Sequence, residues 1–186
     1  SKFKKNKLAI VGTPCQIYTI RCMQNLGVTP SDHIEICLGL FCYENFIFDP
    51  TQRKKFEQDF NISFNNIRKL NIKEDVIVDV AQDENKINSI HIPFNHLNEY
   101  MRPACKACDD FTNVYADISF GGLGSPEKYT TVLARTEKGQ RIMEQALDAG
   151  IIKSLKLDQS QKDKMIDLIT QYANKKQIRK EQFISS

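Results

Sequence analysis

Leu8-Ala9-Ile10-Val11-Gly12-Thr13-Pro14-Cys15-Gln16-Ile17 is the stretch from which the fold is read. Leu8 to Val11 is an apolar run ending in β-branched residues, which makes a short buried strand, and Gly12-Thr13-Pro14 supplies a tight turn. From Cys15 the pattern is helical to Leu26, where Gly27 and then Pro30 stop it. Residues 34–42 give the next strand, mostly apolar on both faces as a central sheet strand is.

Outward from that strand-turn-helix unit, Asp49-Pro50-Thr51 starts a helix through Phe60, and residues 65–70 read as a second short helical piece. Residues 76–81 and 87–93 are β-rich runs either side of Gln82-Asp83-Glu84-Asn85-Lys86, the composition of a hairpin loop. A short helix over residues 95–100 is ended by the restriction that Pro103 places on Arg102. Strands over residues 116–120 and 130–135 bracket Gly121-Gly122-Leu123-Gly124-Ser125-Pro126. Amphipathic helices follow over residues 137–149 and 160–174, with residues 151–157 as a further strand candidate and a loose tail after Lys175. Strands alternating with helices predict an α/β (or α+β) fold, a mixed β-sheet with flanking helices.

At 186 residues, 41% apolar and 26% charged, the chain is expected to form one compact unit around one core. No apolar run approaches the roughly 20 residues of a membrane span, and Ser1 to Lys7 lead into too short an apolar stretch for a signal peptide, so a cytoplasmic protein is expected. Opening at Ser1 without methionine, with a strand at Leu8, it reads as a fragment lacking an N-terminal segment and a partner for that strand. A net charge of +3 is too small for a nucleic-acid-binding face. Lys175, Lys176, Arg179 and Lys180 read as a solvated helix end. Six cysteines without an export signal point to thiol or metal chemistry, not a disulfide scaffold.

Pro103-Ala104-Cys105-Lys106-Ala107-Cys108-Asp109 is the most specific local pattern, because a C-x-x-C loop lets two thiolates converge on one metal centre. Asp109 stands where a c-type haem needs histidine, and a redox dithiol would open a helix after the first strand instead of lying behind a hairpin. Two further ligands come from Cys15, Cys22, Cys37 and Cys42. Strand alternation puts Cys37 and Cys42 on opposite faces, with Cys37 mid-strand as a small buried hydrophobe and Cys42 at the end. Cys15 and Cys22 are separated by about 10 Å along the helix, too far for one small cluster. Cys15 lies at the positive end of that helix, and Cys22 is expected in the core. The set is then Cys15, Cys42, Cys105 and Cys108. Structural zinc is usually held by two close pairs, which favours an iron-sulfur cluster here but leaves a zinc-stabilised interaction domain open. His33, His91 and His96 have no ligand spacing.

Gly121, Gly122, Gly124 and Ser125 expose backbone N–H groups without side-chain obstruction, so their loop can approach a phosphate or a flavin, or is simply an irregular hairpin turn. Thr130, Thr131 and Arg135 could add hydroxyl and guanidinium contacts.

Val11-Gly12-Thr13-Pro14-Cys15-Gln16, Cys37-Leu38-Gly39-Leu40-Phe41-Cys42, Cys105-Lys106-Ala107-Cys108-Asp109, and Gly124-Ser125-Pro126 through Thr130-Thr131-Val132 with Arg135-Thr136 occur in this order. Together, from about Leu8 to Gly139, they resemble the beta-subunit family of coenzyme F420 hydrogenases and dehydrogenases. The resemblance implies a 4Fe-4S cluster on Cys15, Cys42, Cys105 and Cys108, FAD near the Gly121 to Ser125 loop, and coenzyme F420 as substrate. It implies hydride transfer between the deazaflavin C5 and the FAD N5, and single-electron exchange through the cluster with a partner hydrogenase, dehydrogenase or reductase subunit. Lys106, Lys128 and Arg135 would contact the acidic deazaflavin tail. Residues 1–150 would be the cluster- and flavin-binding domain and residues 151–186 a helical extension of the same unit. Tyr129 stands where the family often has Trp, and family members usually carry an additional N-terminal segment. A family member acting on another substrate, in a sulfite, nitrite or pigment reductase, fits the same motifs.

Overall fold

Gln16 reaches back to accept the Thr13 N–H at 2.9 Å, and Pro14 occupies the first helical position, so strand turns into helix within one residue. A computed structural model describes residues 7–72, 75–83 and 86–185. In chain order these form β1 (Leu8–Gly12), α1 (Pro14–Asn25), β2 (Ile34–Leu40), α2 (Pro50–Phe60), β3 (Ile67–Ile72), β4 (Val76–Asp83) and β5 (Lys86–Ile92). There follow α3 (Pro103–Lys106), β6 (Ile118–Gly121), β7 (Thr131–Ala134), α4 (Glu137–Asp148) and α5 (Gln159–Ser185). The chain divides into two compact units where composition reads as one: Glu44–Lys106 forms the second, and the residues on either side of it form the first.

In the first unit a four-stranded sheet runs in the order β1-β2-β6-β7. β1, β2 and β6 are mutually parallel, and β7 closes the edge antiparallel to β6. Ile10 is paired with Cys37 in the sheet, and Ile17 of α1 packs on Cys37 and Ala116 to make the core on that face. α4 begins at Thr136, whose hydroxyl accepts the Gly139 N–H at 3.1 Å. A Cβ on Gly139 would stand 2.2 Å from the Asp117 carbonyl oxygen, so only glycine lets α4 lie this close to the sheet. Residues 151–157 form no strand, and the expected helix over residues 160–174 continues as α5 to Ser185, replacing the loose tail.

The second unit is a β3-β4-β5 antiparallel meander against α2. Val76, Val78 and Val80 alternate inward along β4 onto Phe56, Ile62, Ile92, Leu97 and Tyr100. The hairpin expected over residues 76–93 is present as β4 and β5, with Glu84 and Asn85 of its turn outside the described residues. Residues 65–70 are not helical: one 3-10 turn at Phe64–Asn66 leads into β3, whose backbone pairs with β4. Mixed and antiparallel strands thus fall into two separate sheets instead of one. Among the described residues no helix is long and apolar enough to cross a membrane.

Candidate functional site

Parallel alignment brings the carboxyl ends of β1, β2 and β6 to one edge of the first unit's sheet, where open α/β sheets bind ligands in the crevice beyond the strands. Gly12 pairs with Gly39, and the cysteines that follow, Cys15 and Cys42, stand equally far beyond that pair along their chains. β6 delivers Gly121 and its loop to the same edge. Asn113 ties the edge together from beneath. Fully buried, it donates through Nδ2 to the Gly12 carbonyl at 2.9 Å and the Leu40 carbonyl at 3.4 Å, the last residues of β1 and β2. A side chain on Gly39 would put its Cβ 2.4 Å from the Asn113 amide carbon. Sequence reasoning missed Asn113, a lone polar residue in an irregular segment.

The six cysteines are all thiols. Cys15 is exposed in the first turn of α1, its Sγ 3.3 Å from the Thr13 hydroxyl, at the end of the helix that favours an anion. Half-buried Cys42 donates its N–H to the Phe111 carbonyl at 2.9 Å, which joins the chain after β2 to the segment that follows Cys108. Cys108 is also half-buried. Cys105 lies in the one-turn helix α3, its N–H donated to the Arg102 carbonyl at 2.8 Å, so the C-x-x-C stretch begins helical and not as a loop. Cys37 is enclosed in the core, and burial pushes its thiol up. Cys22 is half-buried instead of packed in the core as expected. Among the described residues no three His, Cys, Asp or Glu side chains stand together as a metal-ligand group.

α5 changes the reading of the basic C-terminal cluster, which is not a solvated helix end. Lys176, 1% exposed, donates to the Cys42 carbonyl at 2.9 Å, the Asp110 carbonyl at 2.7 Å and the Cys108 Sγ at 3.2 Å. Lys180 pairs with Asp109 at 2.6 Å and holds that carboxyl below its usual range, and Arg179 donates to the Tyr43 carbonyl at 2.9 Å. Tyr172, one turn before Lys176, packs on Tyr43 and Phe111 at ring separations of 5.5 and 5.9 Å. Lys175 is exposed and lies over the Tyr172 ring.

The glycine loop is braced at both ends. Gly121 faces the Phe41 ring so closely that a Cβ would meet its Cδ2 at 1.9 Å, and Gly124, at φ +83°, lies against Met165 of α5. Ser125 and Thr131 share a hydrogen bond of 2.6 Å, and the Thr131 hydroxyl also donates to the Leu123 carbonyl at 2.8 Å, closing the loop on itself. Gly122 and Thr130 are exposed. Arg135 points elsewhere: its guanidinium donates to the Ser119 hydroxyl at 2.9 Å and to the carbonyl and hydroxyl of Thr112, and burial pushes its pKa down. The structure therefore brings Gly124, Ser125 and Thr131 together and uses Thr131 and Arg135 within the fold. Lys128 is exposed at φ +70° and Lys106 is half-buried at the end of α3.

The family described as the C terminus of the coenzyme F420 hydrogenase/dehydrogenase beta subunit matches residues 5–160. The coenzyme F420 hydrogenase subunit beta of Methanococcus voltae is 30% identical over 159 residues, covering 84% of this chain and 55% of that protein. Its counterpart in Methanothermobacter thermautotrophicus is 31% identical, over 82% of this chain and 54% of that protein. A coenzyme F420-dependent sulfite reductase from Methanocaldococcus jannaschii is 32% identical over 73% of this chain and 23% of that protein. Among solved structures, a chain of the F420-reducing nickel-iron hydrogenase complex from Methanosarcina barkeri matches with a TM-score of 0.81 at 25% identity, over 97% of this chain and 61% of that one. The chain spans about half the length of the curated hydrogenase subunits it matches.

Proposed function

Because this chain belongs to the coenzyme F420 hydrogenase/dehydrogenase beta-subunit family, we propose that it is the cofactor-bearing part of a cytoplasmic electron-transfer subunit. In this reading Cys15, Cys42, Cys105 and Cys108 hold a 4Fe-4S cluster, and Gly121, Gly122, Gly124 and Ser125 border FAD. Coenzyme F420 is the hydride donor or acceptor, and electrons pass to or from a partner hydrogenase, dehydrogenase or reductase subunit.

One observation carries the reading: three parallel strands send Cys15, Cys42 and the glycine loop to the same sheet edge. Cys108 suits a thiolate ligand, because a buried ammonium, Lys176, donates to its Sγ while no carboxylate forms an ion pair with that ammonium among the described residues. When bound, the flavin would supply hydride chemistry and the cluster one-electron steps. The protein's part is placement. The first turn of α1 favours negative charge at Cys15, Asn113 fixes the spacing of the β1 and β2 ends, and Phe41 shapes the floor under Gly121. Cys105 enters the set through its chain neighbourhood to Cys108.

The sulfite reductase relative supports a second reading of the electron acceptor within the same family, since the motifs that place cysteines and glycines do not specify what the partner reduces. Anaerobically purified protein tests both levels. Iron with a broad absorption near about 400 nm that bleaches on reduction, lost in Cys42→Ser and Cys108→Ser and kept in Cys22→Ser, is expected. Zinc without colour would replace this account with a structural zinc domain. Flavin released on denaturation reports the second cofactor, and reduction by the deazaflavin coenzyme reports the substrate.

A further inference from the structure

We infer that Lys176 is a positioning residue that raises the reduction potential of the cluster, acting through the sulfur of Cys108. The inference rests on the cluster reading above. Lys176 is 1% exposed, and its ammonium has three N–H donors, all of them used: two on the carbonyls of Cys42 and Asp110 and one on Cys108 Sγ at 3.2 Å. Two of those acceptors are neutral. The carboxylate nearest in sequence to Cys108, Asp109, pairs directly with Lys180 at 2.6 Å and feels the Lys176 charge only at longer range. A buried positive charge without a carboxylate partner is unfavourable unless a negative group faces it. A thiolate at Cys108 is such a group, and a cluster bound through thiolates is an anion that becomes more negative when reduced.

The charge is held in place from both sides along α5. Tyr172 is wedged against Tyr43 and Phe111 one turn earlier, and Arg179 hydrogen-bonds the Tyr43 carbonyl and covers the Tyr43 ring at 4.9 Å. These contacts seat the helix with Lys176 enclosed against the cysteine-bearing segments. A fixed cation and an N–H donor at a cluster sulfur stabilise the reduced form more than the oxidised form, and more strongly in a poorly solvated site than in water. The same side chain joins the segments of Cys42 and Cys108, so one residue both orients two ligand-bearing loops and sets their electrostatics.

The test is a redox titration of the anaerobic, iron-loaded protein followed by electron paramagnetic resonance, with iron content measured on each sample. Lys176→Met keeps most of the side chain's length and removes its charge and donors; Lys162→Met, at an exposed position of α5, is the control. The expected result is at least a tenfold fall in the reduced-to-oxidised ratio at a fixed potential for Lys176→Met, about 59 mV for one electron, with Lys162→Met unchanged. Lys176→Met with full iron and the wild-type midpoint overturns the inference. If Lys176→Met does not fold, Lys176→Gln retains N–H donors without the charge, and a wild-type midpoint there overturns it equally. Wild-type protein that binds no iron under any reconstitution defeats the cluster reading itself, a different result from an unshifted midpoint.

Discussion

Replacing Asp117 with alanine removes the carboxylate on which the first unit converges, and its cost follows from three contacts. Oδ2 accepts the Cys37 N–H at 2.8 Å and the Arg21 guanidinium at 3.0 Å, and Oδ1 accepts the Thr136 hydroxyl at 2.9 Å. The Cys37 N–H is in the buried core and would be left unsatisfied, about 1–3 kcal/mol. Arg21 is softer: its side chain is 27% exposed and keeps the Tyr115 carbonyl and the Gln24 amide oxygen, so the lost ion pair is worth roughly 1 kcal/mol. Thr136 still caps α4 through Gly139 and contributes some tenths. The expected loss is about 2–4 kcal/mol, the sum of these contributions and a large part of a domain's usual 5–15 kcal/mol. Asp117→Asn keeps an acceptor for Cys37 and is expected to cost roughly half as much. The chain has no Trp, so urea unfolding is followed by tyrosine fluorescence and far-ultraviolet circular dichroism. A loss below about 1 kcal/mol for Asp117→Ala, or equal losses for the two variants, would refute the claim that the buried Cys37 N–H dominates.

Gly121→Ala drives a Cβ into the Phe41 ring and is expected to lower stability by about 1–3 kcal/mol and to reduce retained flavin, whereas Gly122→Ala, with nothing within 4 Å, leaves stability unchanged; thermal unfolding distinguishes the pair. In metal-free protein, iodoacetamide should modify exposed Cys15 in the folded state but reach enclosed Cys37 only on unfolding, so mass spectrometry finding equal rates would contradict the burial of Cys37. Burial, then the hydrogen bond to Asp59, pushes the Tyr100 phenol from 10.0 up to about 12. Folding favours its neutral form, so the stabilisation is complete below the unfolded value and is lost as pH rises from 10.0 through about 12. An ultraviolet titration in which every tyrosine ionises together near 10.0 would contradict it.

What was legible in the sequence was whatever short-range chemistry decides. Gly12-Thr13-Pro14 forces the turn from β1 to α1, Asp49 accepts the Gln52 N–H at 2.8 Å to start α2, and the valines of β4 alternate because one face is buried. Residues 65–70 misled because Ile67 and Leu70 have helical spacing among good helix formers, while pairing of β3 with β4 outweighs that local preference. Residues 151–157 are β-branched and apolar at their start yet find no strand partner, so propensity alone does not make a strand there. Nothing local says that β3, β4 and β5 leave the first sheet to form their own.

The candidate site divides in the same way. Cys105 and Cys108 are proposed as a pair from their spacing, and Cys42 is set apart from enclosed Cys37 by strand parity, because each argument needs only neighbours. Lys176 was read as solvent-exposed because lysine usually is, and its partners are 134, 68 and 66 residues away. A signal was nonetheless present: Met165, Ile169, Tyr172, Lys176 and Arg179 recur at alternating spacings of four and three, one stripe along α5. The stripe is apolar until it meets the cysteine-bearing loops, and there it turns basic, with Ile169 buried upstream and Lys176 buried among two carbonyls and a sulfur. An amphipathic face that continues through a lysine indicates that the lysine is enclosed, and an enclosed ammonium requires acceptors. Here those acceptors are the carbonyls of Cys42 and Asp110 and the sulfur of Cys108, so α5 packs against two of the residues proposed to hold the cluster.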